Sequence, residues 1–260
     1  MKILLFIPMY NCEKQITRVL GQLTPNVLRY ISQVIVVNNR STDNGENAAI
    51  QYCKEHRNIP VKILRNDENY GLGGSHKVAF NYAIENGFDY VIVLHGDDQG
   101  RIEDFIPLIE SGEHEKYDCC LGARFMKGSK LIGYNKLRIW GNYGFNLLFS
   151  LTVHKEVKDL GSGLNMYKVK TLESRYFMKY PDTLYFNDLM ILASCYYKQD
   201  MLFYPISWRE EDQVSNNKLW SFSCSLLKML WKYVRNKKQY IETDMRTKKV
   251  EKYSAQVIYE

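Results

Sequence analysis

Apolar and polar positions along the first hundred residues follow two different rhythms. Short apolar runs at ILLFIPMY (3–10), ISQVIVVNN (31–39), PVKILRN (60–66) and DYVIVLHGDD (89–98) predict buried strands. The stretches between them, EKQITRVLGQL (13–23), GENAAIQYCKEH (45–56) and GSHKVAFNYAIENG (74–87), predict helices. The strands are β-branched runs rather than strict alternations, so they predict an α/β fold: a mostly parallel central sheet with helices on both faces. After Asp98 the pattern becomes irregular. Short strands are predicted in CCLGARF (119–125) and MLFYPISW (201–208), and helices over 136–153 and 219–235.

In such a sheet ligands gather at the carboxyl ends of the strands. That directs attention to Pro8, Tyr10 and Asn11, to Asn38 and Asn39, to the NDENYGLGGS stretch (66–75), and to HGDDQG (95–100). Asp97 and Gln99 stand two apart at a strand end, a spacing that suits oxygen ligation of a hard divalent ion also touching a diphosphate. The glycines of YGLGGS, Gly73 and Gly74 among them, predict a tight turn or a close backbone approach before a helix. The stretch lacks the GK[ST] of a phosphate-binding loop and does not follow the first strand, which argues against nucleotide triphosphate hydrolysis and hydride transfer.

Composition narrows this further. With 260 residues and 45% hydrophobic content the chain can bury a full core, and we divide it into one domain over 1–215 and a basic amphipathic helical extension over 216–260. From Ser215 onward there are 10 Lys and Arg against 4 Asp and Glu, so the whole net charge of +6 sits in this tail. A basic tail suits a phosphate-bearing surface, and no recognition helix or RNA-binding motif accompanies it, so a nucleic acid is not the expected partner. The six cysteines show no metal-ligand spacing and read as reduced, buried thiols of a cytosolic protein. MKILLFIPMY reads as a first strand rather than a secretory leader, and no run of about 18 apolar residues suggests a membrane span.

Taken in order, IPMYN (7–11), VVNNRSTDN (36–44), NYGLGGS (69–75) and VIVLHGDDQG (91–100) resemble the IPxYNE, VVDDGSxD, GxGxA and D-x-D-x-Q stretches of family 2 glycosyltransferases with the GT-A fold. LGARF (121–125), the helix at 136–153, DLGSGLNMY (159–167), YFNDLMILA (185–193) and PISWREEDQVSNNKLW (205–220) are similar to blocks of the polyprenyl-phosphate mannose and glucose synthases. The resemblance covers roughly residues 1–220.

It implies inverting transfer of a sugar from a nucleotide diphosphate sugar, dependent on a divalent metal (Mn²⁺ or Mg²⁺). The acceptor is a polyprenyl phosphate or a lipid-linked or capsular glycan. The enzyme would lie peripherally on the cytoplasmic face of a membrane, with self-association into a homo-oligomer left open.

Carried over, Asp97, Gln99 and His95 are the metal ligands, His95 standing where the family has its first aspartate and being a better ligand for Mn²⁺ than for Mg²⁺. Pro8, Tyr10, Asn11, Asn38 and Asn39 line the nucleoside pocket; Gly73, Gly74, Asp98 and Asp159 complete the donor side. Arg124, Arg138 and Arg209 face phosphates, with Ser162 and Lys218 on the acceptor side, and Asp188 is the candidate base, needed only if the acceptor is a hydroxyl. Asp98 falls where the family usually has an apolar residue, and its role stays open. Asn38 and Asn39 replace two aspartates and carry both donors and acceptors, so a transferase moving a phospho-alcohol or nucleotidyl group from a CDP-activated donor stays open as an alternative.

On the helix at 136–153, Arg138, Asn142, Asn146 and Ser150 recur every fourth position and large apolar residues cover most of the rest. The helix at 219–235 sets Lys228, Lys232 and Arg235 beside tryptophans. The pair predicts an interfacial surface.

Overall fold

A computed structural model describes residues 1–212 and 219–260. The first half alternates as read from the sequence: β1 (Ile3–Met9), α1 (Glu13–Gly21), α2 (Pro25–Leu28), β2 (Gln33–Asn38), α3 (Gly45–Glu55), β3 (Val61–Asn66), α4 (Gly71–Glu85) and β4 (Tyr90–Leu94). The middle holds α5 (Ile106–Glu110), β5 (Cys119–Ala123), β6 (Lys130–Ile132), α6 (Lys136–Val153), β7 (Leu164–Lys168) and α7 (Val169–Leu172). It ends with α8 (Phe186–Tyr196), β8 (Met201–Pro205), β9 (Ser207–Arg209), α9 (Leu219–Arg235), α10 (Lys237–Glu242) and β10 (Ala255–Tyr259).

Eight strands form one sheet in the order β10-β3-β2-β1-β4-β7-β5-β8. β7 and β10 run against the other six. β6 and β9 make a separate parallel pair. Every residue of β1 is buried because its two faces enter different cores. Leu4 and Phe6, with Ile35 and Val37 of β2, pack under α4, α6, α8, α9 and α10. Ile3, Leu5 and Ile7, with Val34 and Val36, pack under α1, α3 and α5. A run buried on both sides has to be apolar throughout, which is why these strands lack alternation. The chain runs outward from β1 to β2 and β3, then crosses to β4 on the other side of β1, so the carboxyl ends of β1 and β4 flank the switch point where a ligand fits.

Two expectations need correction. YGLGGS is not a turn preceding a helix, because α4 begins at Gly71 and Gly73 and Gly74 lie in its first turn. Their missing side chains serve protein contacts: a Cβ on Gly73 would lie 2.4 Å from the Pro181 carbonyl oxygen, and one on Gly74 would lie 2.4 Å from Cβ of Tyr70. Both are buried, and Gly73 N–H donates to the Asp182 carbonyl at 2.9 Å, so neither presents backbone to a donor. Second, the stretch after residue 215 is not wholly helical, since β10 pairs antiparallel with β3 and becomes the sheet's outer strand. Just before it, Tyr253 is buried beside Lys77 of α4. The Lys77 ammonium, fully enclosed, donates to the Tyr180 carbonyl at 2.5 Å, to Asp182 Oδ1 at 2.6 Å and to the Tyr253 hydroxyl at 3.2 Å. These bonds offset the desolvation of the charge and tie the C-terminal stretch to the start of α4.

Gly73→Ala is expected to cost about 1–3 kcal/mol by overpacking. Gly141→Ala, on an α6 position where a Cβ meets nothing within 4 Å, should be neutral or stabilising. Urea denaturation of both variants checks the contrast, and equal midpoints would refute it.

Candidate active site

At the end of β1 the chain turns through Asn11, whose φ of 50° is left-handed. Its Oδ1 accepts from Thr42 N–H at 2.8 Å, joining the exits of β1 and β2, while Tyr10 projects outward and Pro8 stays buried in β1. At the end of β2, Asn38 accepts from Ser41 N–H at 2.9 Å and donates to Glu46 at 2.6 Å. Glu46 in turn receives Arg65, and these two partners hold its carboxyl below the usual range, Arg65 contributing most. Asn39 accepts from Asn66 at 3.0 Å and from Tyr70 N–H at 2.8 Å, and donates to Asn69 at 2.8 Å. Both amides are buried and spent on protein groups.

At the end of β4, Gly96 N–H donates to the Pro8 carbonyl at 3.1 Å, which fixes the HGDDQG stretch against β1. The His95 ring lies against Gly163, 6.1 Å from the ring of His76, and its Nε2 is buried with no hydrogen-bond partner. Burial, and after it the Arg124 charge, lowers its pKa to about 4, so the ring is neutral. Nε2, without accessible surface, does not reach a metal from this rotamer. Asp97 stays at the turn, half-buried, accepting from Gln99 N–H at 3.2 Å, and burial pushes its carboxyl up to about 6. A bound cation would oppose that cost. Among the described residues no group of three or more His, Cys, Asp and Glu side chains converges on a metal-sized site. Asp97 and Gln99 therefore fit an ion that takes its remaining oxygens from a diphosphate, and do not form a cage of their own.

Asp98 is fully buried, at φ 62°. Its carboxylate accepts from Arg18 Nε at 2.6 Å, from Gln22 at 3.0 Å and from Arg209. It is a structural junction rather than a donor-binding group. All three arginines assigned to phosphates are matched by carboxylates. Arg124 binds Asp159 through two parallel bonds of 2.7 Å, and both side chains are buried. Burial opposes the Arg124 charge, but Asp159 outweighs it and raises the guanidinium above its ordinary value. Arg138 binds Glu210 at 2.7 and 2.9 Å, and Arg209 binds Asp98. Arg124 and Asp159 thus hold the second half of the sheet together and do not face a ligand.

Ser162 is likewise internal, closing its turn through Leu164 N–H at 3.2 Å. Asp188 is buried in the first turn of α8. Burial, with a smaller contribution from Asp159, raises its carboxyl well above the usual range. Lys218 lies outside the described residues.

Sequence reasoning missed Arg18, Gln22, Glu46, Arg65, Glu210 and Asp212. Arg18 of α1 and Gln22, which caps that helix, are four apart, a visible pairing whose target, 76 to 80 residues away, is not. Arg18 also holds Asp212 at 2.8 Å.

Helix α6 is inside out. Asn146 donates to the Lys158 carbonyl at 2.6 Å, and the Ser150 hydroxyl accepts from Val157 N–H at 2.8 Å. The polar row therefore faces the protein. Leu137, Trp140, Leu147 and Leu151 are 60–78% exposed, and Trp231 and Val234 of the neighbouring α9 are also exposed. Beside α6 runs an open groove of about 630 Å³ lined by Phe125, Tyr143, Leu147 and Leu151 together with Lys127 and Lys155. No helix among the described residues is long and apolar enough to cross a membrane.

A sequence model of the family described as "Glycosyl transferase family 2" matches residues 5–175. An undecaprenyl-phosphate mannosyltransferase from Micrococcus luteus is 25% identical over 174 residues, 67% of this chain and 69% of that protein. A dolichyl-phosphate beta-glucosyltransferase from Trichomonas vaginalis is 20% identical over 216 residues, 78% of this chain and 63% of that protein. The chain thus spans about two thirds of these relatives. Glucosyl-3-phosphoglycerate synthase from Mycobacterium tuberculosis, solved with uridine diphosphate, superposes with a TM-score of 0.63 at 14% identity, covering 90% of this chain and 80% of that one. A second structure of it holds Mn²⁺, uridine-diphosphate-glucose and glycerol 3-phosphate, at a TM-score of 0.62, 14% identity and coverage of 90% and 79%. The fold is the GT-A type that the motifs implied.

Asp159→Asn should cost about 3–5 kcal/mol in urea denaturation, because it leaves the buried Arg124 charge without its counter-ion. Asp188→Asn should do the reverse. Above about pH 4 the unfolded chain releases a proton that the folded chain keeps at Asp188, so wild-type stability falls as pH rises toward the raised folded pKa. The variant's gain in melting temperature over wild type is expected to grow between pH 4 and pH 8. A constant difference across that range would mean that Asp188 is charged in the fold.

Proposed function

Because the chain belongs to glycosyl transferase family 2, we propose that it moves a sugar from a nucleotide diphosphate sugar to a polyprenyl phosphate at a membrane surface, with inversion at the anomeric carbon. The observation that carries the choice of acceptor is the inside-out helix α6: an apolar outer face beside Arg138 suits a substrate with a phosphate head and a hydrocarbon tail. The two curated relatives carry polyprenyl phosphates in their names, which supports the same reading.

In this reading the nucleoside lies across the ends of β1 and β2, against Pro8 and Tyr10. Its diphosphate reaches the Asp97 turn. Asp97 and Gln99 would hold a divalent ion, which when bound neutralises the diphosphate and makes it a better leaving group. An oxygen of the acceptor phosphate forms the new bond to the anomeric carbon as the bond to the diphosphate breaks, and the diphosphate leaves with the electron pair. That oxygen is already ionised, so no base is required, in keeping with a buried Asp188. Arg209 is partly exposed at the same turn and adds positive charge where the leaving group develops its own negative charge. The cytidine alternative loses its motive, because Asn38 and Asn39 spend their amides on protein partners.

The test is transfer of labelled sugar from UDP or GDP donors, with Mn²⁺ or Mg²⁺, into polyprenyl phosphate carried in anionic vesicles. Label is expected in the lipid fraction. Asp97→Asn should lower the rate about a hundredfold, an effect of the size that removal of one charge-stabilising group produces. Trp140→Ser combined with Leu147→Ser should abolish vesicle sedimentation while leaving UDP binding intact. Transfer into a water-soluble acceptor and none into lipid would reject the acceptor assignment.

A further inference from the structure

Among the carboxylates of the site Asp98 is unusual, because it is wholly enclosed and yet immediately follows the residue that faces the donor. It gathers groups from two distant parts of the chain. Arg18 comes from α1 and Gln22 from its C-terminal cap, and Arg209 comes from the end of β9. Arg209 grips it twice, through its Nε to the Asp98 carbonyl at 2.7 Å and through a second nitrogen to the carboxylate. The backbone is fastened at the same place: Arg209 N–H donates to the Gln99 carbonyl at 3.0 Å, and Gly100 bridges to Trp208.

A guanidinium has five N–H donors in a rigid fork. Asp98 takes the edge that carries Nε. Among the described residues the other terminal nitrogen of Arg209 makes no hydrogen bond, and the side chain is 23% exposed. The φ of 62° at Asp98 is a conformation that Asp and Asn tolerate better than other residues with side chains, and it sets the turn on which Asp97 stands.

We propose that Asp98 is a positioning residue for the donor diphosphate: it grips Arg209 by one edge, leaves the other edge open to a phosphate oxygen, and fixes the turn that carries Asp97. This rests on the donor reading given above and adds to it a division of labour. Asp97 acts through the ion, Arg209 acts directly, and Asp98 touches neither substrate nor ion. A residue of stability alone would lower the melting temperature and leave nucleotide affinity where it was.

Calorimetric titration of UDP and GDP into the folded full chain, with Mn²⁺ and again with chelator, separates the two. Asp98→Ala should weaken nucleotide binding about tenfold in both conditions, since one charge-assisted contact is lost whether or not the ion is present. Asp98→Asn keeps an oxygen acceptor and tolerates the backbone angle, so it should recover most of the affinity. Should Asp98→Ala not fold, Arg209→Lys serves instead: an ammonium held at Asp98 has no second edge, and binding should weaken by a similar factor. Affinity equal to or tighter than wild type in folded Asp98→Ala, or in Arg209→Lys, overturns the proposal alone. A wild-type chain that binds neither nucleotide with Mn²⁺ overturns the donor reading, and the proposal with it.

Discussion

Burial of the central strands on both faces is the constraint from which the rest of the molecule follows. β1 and β4 lie between two cores and carry no polar side chain along their length, so polar chemistry is confined to their ends. The crossing of the chain from one side of β1 to the other places the switch point of the sheet at those ends. Tyr10, Asn11, Asp97 and Gln99 occur together because the sheet leaves no other place for them.

A second consequence is electrostatic. Below the surface a charge is tolerated only with a partner. Arg124 with Asp159, Lys77 with Asp182, and Asp98 with two arginines each join segments far apart in the chain. These pairs add to what the doubly buried apolar runs of the first half do, holding loops and short strands in place. They also account for the distance between motif and role: an arginine conspicuous in sequence turned out, at Arg124, to be an anchor.

What was legible in the sequence divides along the same line. Local pattern gave α6 and α9 to the residue and the places of β1 to β5 and β8 with looser ends, while β6 and β7 went unread, because a long helix writes its own burial into its spacing and a short strand does not. The positions of Tyr10, Asn11, Asp97 and Gln99 followed from strand ends. The partners did not, since no spacing announces that Asp98 meets Arg209 or that Arg138 meets Glu210. The packing of His95 on Gly163, 68 positions away in sequence, was not legible either. The glycines of α4 were misread for a similar reason: glycine signals close approach but not what approaches, which here is the chain around Pro181 and Asp182. β10 was missed because it pairs with a strand far upstream.

That pairing has a bearing on how the molecule is assembled. Contacts between β3 and the segment around β10 span as many as 198 positions, from Lys62 to Glu260, while β1, β2 and β3 find one another within a few dozen. Closing so long a loop costs little extra free energy but comes late, after nearer contacts have formed. The sheet edge at β3, with the start of α4 beside it, is therefore among the last regions to acquire its final stiffness during folding. By the same reasoning it is among the first to loosen when conditions turn against the native state.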